Sequence, residues 1–275
     1  MPRKHRVTCL SALAGTALVL LFVWAVCAPG AAQAQTKFSI SKCPDGPLPL
    51  PITIDCSHTK DPAAQAACRP FLETTACKVF PAYRQITGIK MEDFCKTFQY
   101  VIYDQDNWPY TSAGAGGMTI GCNVSYQARY SVLSSFAMGP YDVHEILHGY
   151  HHGIGRVPDQ HVLFSSSMAE AIRVIGDDAT YRKRLQSISD ETKNLEKEFQ
   201  EDKIKPQDRC KVANTLFDEL LYLKNTNIVS EYYAWLLQHP EKGKENPQVR
   251  FNRMFNAVSK GEARRFMAQH GCDVF

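Results

Sequence analysis

The segment His144-Glu145-Ile146-Leu147-His148 is the most informative stretch of this chain. On a helix its two histidines lie one turn apart on the same face with a carboxylate beside them, which is the pattern of a zinc site with an adjacent general base. The helix is predicted independently of this motif, because apolar residues recur through it at helical spacing. These apolar residues are Val143, Ile146, Leu147 and Tyr150. Gly139 and Pro140 are predicted as the N-cap and the first helical residue.

The beginning of the chain has the organisation of an export signal. Three basic residues precede an apolar stretch over residues 13–26, and Ala32-Gln33-Ala34 has the small-x-small form of a signal-peptidase site. Residues 1–34 are therefore predicted to be a signal peptide, and the mature protein is predicted to be secreted or periplasmic. The alternative is an uncleaved membrane anchor, which the length of the apolar stretch permits.

The cysteines fit an exported protein. Beyond the predicted leader an even set of eight remains: Cys43, Cys56, Cys68, Cys77, Cys95, Cys122, Cys210 and Cys272. In an oxidising compartment this set predicts up to four disulfides. We expect Cys210 to pair with Cys272 between C-terminal helices, and Cys95 with Cys122 between neighbouring strands. A cysteine-bound metal is not favoured, because the chain has no Cys-x-x-Cys pair.

Charge argues against polyanionic partners. The predicted leader carries three basic and no acidic residues, which leaves 28 basic and 28 acidic residues in the mature chain. A chain without net charge lacks the long-range field that attracts proteins to nucleic acids or anionic lipids. We therefore expect no nucleic-acid partner, and no membrane contact apart from a leader that stays uncleaved.

The mature chain is predicted to form an extended arm followed by one domain. Residues 35–62 are rich in proline, glycine and serine and are predicted to be an arm fixed by Cys43 and Cys56. Residues 63–275 are predicted to be a single domain, long enough to bury the core of an enzyme, with residues 175–275 as a helical subdomain.

Two elements are predicted before the glycine-rich residues 112–117. A helix is expected over residues 63–87, bent near Pro70 and Pro81, and a strand over residues 98–103. After the glycines, apolar residues alternate with polar ones, which predicts a single half-buried strand. Its apolar positions are Met118, Ile120, Cys122, Val124 and Tyr126. This strand is either ordinary sheet or an edge that pairs with an extended peptide substrate.

The chain after residue 167 is predicted to be mostly helical. The expected helices cover residues 168–174, 179–201, 207–223, 228–238 and 248–268.

A hydrolytic zinc site needs a third protein ligand besides His144 and His148. Glu170 lies some twenty residues after the motif on a short apolar helix. In this respect the chain resembles the gluzincin branch of the zincin metallopeptidases, in which a glutamate on the helix after the motif completes the metal site. The alternative for Glu170 is local, because Ser167 and Glu170 also have the spacing of a capping box. The other contenders for the third ligand are His151, His152 and His161.

The resemblance spans about residues 63–175 and implies an α+β zincin-like fold, a small antiparallel or mixed sheet with the motif helix and then helices, and one Zn²⁺ per chain. It also implies a peptidase that acts on protein or peptide substrates. Glu145 would then be the general base, taking a proton from water that zinc activates. Tyr232 and Tyr233 are candidates for stabilising the oxyanion, although aromatic residues on an apolar helix are more often core.

Two other functions are compatible with the sequence. A zincin-fold protein that binds zinc without catalysis would act as an envelope or extracellular binding module. Alternatively, the histidines are structural and a disulfide-rich fold binds a partner. The sequence does not predict the oligomeric state.

Overall fold

The computed structural model describes residues 36–111, 116–128, 141–157 and 163–272. The predicted leader, the predicted N-cap at Gly139 and Pro140, most of the glycine-rich loop and His161 lie outside the described residues. None of the described helices is long and apolar enough to cross a membrane.

The chain has an α+β fold with a five-stranded mixed sheet, which confirms the predicted fold class at this level. The strand order is β1-β2-β3-β5-β4. Pairing is parallel between β2 and β3 and between β3 and β5, and antiparallel at the two outer pairs. The strands are β1 (Lys37–Cys43), β2 (Gly46–His58), β3 (Phe98–Tyr103), β4 (Gly117–Ile120) and β5 (Asn123–Gln127).

The stretch predicted as an extended arm forms the β1–β2 hairpin of this sheet. It is extended, as expected, but β2 lies inside the sheet between β1 and β3. Ile52 and Ile54 of β2 are buried in the core, so this stretch carries part of the hydrophobic stabilisation of the domain. Two disulfides, Cys43–Cys77 and Cys56–Cys68, join the hairpin to the helical segment that follows.

The prediction of one alternating strand after the glycines was wrong. The residues form a hairpin in which Ile120 pairs with Asn123, so Gly121 and Cys122 make a two-residue turn. Gly121 has a φ of 59°, a left-handed conformation that favours glycine and suits a tight hairpin. The period-2 pattern continues through the turn, which is why it predicted a single strand. The consequence for the site is that β4 lies at the edge of the sheet.

The helices agree with the sequence pattern in most places. Residues 62–87 form a nearly continuous helical segment in which a π-helical turn at Thr75–Val79 separates α1 from α2. The predicted helix over residues 248–268 is divided at Lys260 and Gly261, which both have positive φ. The helices are α1 (Pro62–Thr74), α2 (Phe80–Thr87), α3 (Glu145–His152), α4 (Phe164–Ile175), α5 (Asp178–Gln200), α6 (Arg209–Lys224), α7 (Ile228–Gln238), α8 (Pro247–Val258) and α9 (Glu262–Gln269).

The core lies between one face of the sheet and the helices. Phe98, Tyr100 and Ile102 of β3 are fully buried on this face, as period-2 alternation requires. The predicted stripe on the motif helix, from Val143 to Tyr150, is also buried. Helix α3 therefore packs with its apolar side inward, and it contacts the edge strand β4.

Both predicted disulfide pairs are confirmed. Cys210 at the start of α6 is bonded to Cys272 after α9, and Cys95 is bonded to Cys122. Cys122 lies in the β4–β5 turn, so the second bond ties this hairpin to the segment that precedes β3. The edge strand next to the motif helix is thereby anchored covalently at its turn.

Candidate active site

The motif helix begins at Glu145, with His144 at the N-cap position. This is later in the chain than the predicted start at Gly139 and Pro140. Its first N–H groups are capped by the carboxylate of Asp142, which accepts from the backbone of His144, Glu145 and Ile146 at 2.9, 2.8 and 2.9 Å. These N–H groups have no partner inside the helix, and Asp142 satisfies them.

Asp142 also joins the motif helix to the sheet. Tyr100 of β3 and Tyr126 of β5 donate their hydroxyl protons to it at 2.9 and 2.8 Å. Asp142 is only 2 % exposed, and this burial raises its pKa, while the tyrosine and backbone hydrogen bonds oppose the rise. No local pattern in the sequence marks Asp142, because its two tyrosine partners come from different strands.

The two motif imidazoles lie next to each other. Their ring centroids are 5.2 Å apart and the rings are inclined by 73°. Two imidazoles that share one tetrahedral zinc ion, at zinc–nitrogen distances of about 2.0–2.1 Å, have centroids about 5 Å apart. The spacing of His144 and His148 therefore suits two positions of such a site. The ring of Phe164, the first residue of α4, packs on both imidazoles at 4.9 and 4.4 Å.

Glu145 lies between the motif helix and the edge strand. Its side chain is buried, and one carboxylate oxygen, Oε2, accepts a hydrogen bond of 2.6 Å from the hydroxyl of Thr119. Burial raises the pKa of Glu145 to about 7, the nearby charge of Asp142 adds to the rise, and the Thr119 hydrogen bond opposes it. A carboxyl group in this environment exchanges a proton near neutral pH, as a general base must.

The structure does not bring Glu170 together with the two histidines. The guanidinium of Arg173 donates to both oxygens of its carboxylate at 2.5 and 2.9 Å, and the Tyr222 hydroxyl donates at 3.3 Å. Within the described ranges, no group of three or more His, Cys, Asp and Glu side chains is placed to hold a metal ion. The capping-box alternative for Glu170 was wrong, because α4 begins at Phe164 and Ser167 lies inside it.

Replacing Glu170 by Gln distinguishes a zinc ligand from a residue that only stabilises the fold through Arg173 and Tyr222. We expect a loss of unfolding free energy of about 1–3 kcal/mol, because the buried carboxylate no longer pairs with Arg173 and Tyr222, and no change in bound zinc. Urea denaturation and metal analysis of the purified variant measure the two quantities. Loss of zinc together with the loss of stability would instead make Glu170 a ligand.

Of the predicted histidine alternatives, His151 points into the protein. Its Nε2 is 2.7 Å from the hydroxyl of Tyr233, which in turn is 3.0 Å from the Ser167 hydroxyl. Burial lowers the pKa of His151 to about 3, with His148 adding to the shift, so this imidazole is neutral. His152 is exposed and its ring contacts Phe94.

The two tyrosines predicted to stabilise an oxyanion are buried. The hydroxyl of Tyr233 is engaged by His151 and Ser167, which ties α7 to α3 and α4. Tyr232 is fully buried and packs edge-on against Phe255, so it is a core aromatic. Both side chains are fully buried, so neither hydroxyl group is exposed at the surface.

No family model, no curated protein and no solved structure matches this chain. The chemistry of the site therefore has to be argued from its own geometry. Besides Asp142, that geometry includes two residues that the sequence analysis did not single out. They are Thr119, which holds Glu145, and Phe164, which packs on the imidazoles. The one relevant signal in the sequence was the period-2 alternation of this strand, which puts Gly117 and Thr119 on the same face.

Proposed function

We propose that this chain is an exported zinc-dependent peptidase that hydrolyses peptide bonds with Glu145 as the general base. The observation that carries the proposal is the position of Glu145, a buried carboxylate held against the edge strand and flanked in sequence by two adjacent imidazoles. A structural pair of histidines has no use for a buried carboxylate at this position.

His144 and His148 would hold the ion. Zinc, when bound, would lower the pKa of a water molecule and polarise the carbonyl group of the substrate. Two donors are fewer than a hydrolytic zinc site uses, and in the described ranges no third donor is placed beside these two histidines. For Glu170 to supply it, its carboxylate would have to leave Arg173 and Tyr222.

The edge strand supports a peptide as the substrate. β4 is hydrogen-bonded to β5 on one side and is the last strand in the order of the sheet. Strand addition to such an edge uses main-chain hydrogen bonds, which every extended peptide offers. Ile120 at the end of β4 is 56 % exposed, so an apolar side chain stands beside that edge. The proposed partner is therefore an extended protein or peptide segment.

The disulfides support export. All eight cysteines beyond the predicted leader are paired, in four bonds that persist only in an oxidising compartment. A secreted or periplasmic location is therefore part of the proposal.

The second candidate is a protein of the same fold that binds zinc without catalysis. One observation favours it: no third donor joins the histidines in the part of the chain that the structure describes. The deciding experiment is hydrolysis of an unfolded protein such as casein by the zinc-loaded protein, its loss on chelation and its return when zinc is added back. Stoichiometric zinc without hydrolysis supports the second candidate.

Zinc binding itself is tested with His148→Ala. We expect about one zinc per wild-type chain. The variant should bind zinc about 100-fold more weakly or worse, because even a residue that only orients a ligand contributes about 10- to 100-fold. Competition with a chromogenic chelator measures both affinities. His239→Ala is the matched control, since this exposed histidine follows α7 and is not part of the motif helix. Equal zinc affinity in wild type and His148→Ala would refute the metal site.

A further inference from the structure

Thr119 contacts the proposed general base directly. Its hydroxyl oxygen is 2.6 Å from Oε2 of Glu145 and 3.0 Å from the backbone carbonyl oxygen of the same residue. We propose that Thr119 is a positioning residue, which occupies Oε2 of Glu145 and leaves Oε1 as the oxygen that accepts the proton. This inference rests on the proposed function and names a residue that acts through Glu145.

The assignment of the two oxygens follows from the number of available protons. A threonine hydroxyl donates one hydrogen bond. The carboxylate oxygen is the nearer acceptor and carries charge, so Oε2 receives this proton in preference to the carbonyl oxygen. The hydrogen bond stabilises negative charge on Oε2 and makes this oxygen less basic than Oε1, so Oε1 is the oxygen that takes the proton.

Gly117 explains why Oε1 can lie where it does. Gly117 and Thr119 are two residues apart on β4 and therefore share one face of the strand. A Cβ atom at Gly117 would lie 2.6 Å from Oε1 of Glu145, closer than real Cβ atoms approach. The carboxylate thus lies across this face of β4, with Oε2 at Thr119 and Oε1 over the missing side chain of Gly117.

Strand pairing and hydrogen bonds hold Thr119 in place relative to Glu145. Thr119 pairs with Val124 in the sheet, and Gly117 pairs with Tyr126. Tyr126 donates to Asp142, and Asp142 caps the helix on which Glu145 is the first residue. This closed path of contacts limits how far the Thr119 hydroxyl and the Glu145 carboxylate can separate.

The kinetic test compares Thr119→Val with Thr119→Ser in the zinc-loaded full chain. Valine keeps the shape and removes the donor, so we expect kcat to fall by about 10- to 100-fold with KM within about threefold of wild type, because a misplaced carboxylate slows chemistry more than binding. Serine keeps the donor and should recover kcat to within about fivefold of wild type. Zinc content should be unchanged in both variants. Thr53→Val is the matched control, since β3 and β5 separate its strand from β4.

A double-mutant cycle measures the energetic coupling between Thr119 and Glu145 without an activity assay. The free energy of unfolding is measured by urea denaturation for wild type, Thr119→Val, Glu145→Ala and the double variant. If the hydrogen bond exists, the loss in the double variant is smaller than the sum of the two single losses. Additive losses overturn the contact, and a valine variant with the kcat of wild type or a serine variant as slow as valine overturns the positioning role.

Failure of the proposed function has a different signature. In that case wild type and Glu145→Gln hydrolyse casein equally slowly, whatever the cycle shows. The catalytic role of Thr119 then falls with the peptidase, even where the cycle reports coupling.

Discussion

Replacing Glu145 by Gln is expected to abolish most hydrolysis while zinc stays bound. Glutamine has the same shape and still accepts from Thr119, but its amide does not take a proton from water. Loss of a general base lowers the rate by about 10²- to 10⁴-fold. The measurement is the initial rate of casein cleavage at fixed zinc occupancy, with metal analysis of the same samples.

A matched control uses a glutamate outside the site. Glu73→Gln removes one carboxylate from a surface ion pair with Arg69 and should leave the rate unchanged. The proposal is wrong if Glu145→Gln cleaves casein as fast as the Glu73→Gln protein. A variant that loses zinc as well as activity calls for comparison at saturating zinc before the rates are interpreted.

Removing the carboxylate of Asp142 is expected to cause the largest loss of stability. Asp142→Ala leaves three backbone N–H groups at the start of the motif helix and two tyrosine hydroxyls without their acceptor. Each buried polar group left unpaired costs about 1–3 kcal/mol, and removal of a helix cap about 1 kcal/mol. We expect the free energy of unfolding to fall by about 4 kcal/mol or more, measured by urea denaturation of the metal-free protein.

Two milder variants test the cause of this loss. Asp142→Asn keeps one acceptor oxygen and should lose less than the alanine variant. Tyr126→Phe removes one of the five donors and should cost about 1 kcal/mol, because the remaining donors keep Asp142 satisfied. If Asp142→Ala unfolds at the same urea concentration as wild type, Asp142 is not the anchor of the motif helix.

Local patterns in the sequence predicted the elements that carry the site. The period-3.6 stripe around Ile146 predicted the motif helix, and period-2 alternation predicted the strand over residues 98–103, both of which the structure has. The pairing of Cys95 with Cys122 was also expected from the predicted neighbouring strands. The helix and the strand follow from residues close together in the chain. The disulfide joins residues further apart, but cysteines are recognisable by residue type alone.

The same patterns failed where two outcomes share one local signal. Alternation does not distinguish one long strand from a two-residue hairpin, so the turn at Gly121 was missed. Glu170 lies three residues after Ser167 and three before Arg173, so the same helical spacing fits a capping box or an ion pair, and the structure has the ion pair. For Glu170 the contact with Tyr222, on a helix some fifty residues later, accompanies the ion pair with Arg173.

By itself the sequence determined the motif, the helix that presents it and the alternation that builds the strands, because each follows from side-chain spacing along a regular backbone. The tertiary structure alone decided which groups meet the motif. Asp142 receives hydroxyls from two strands, Glu145 meets Thr119 on the edge strand, and Glu170 is bound by Arg173 and Tyr222. Most of these contacts join residues far apart in the chain, and hydrogen bonds across such separations depend on how strands and helices pack rather than on any local pattern.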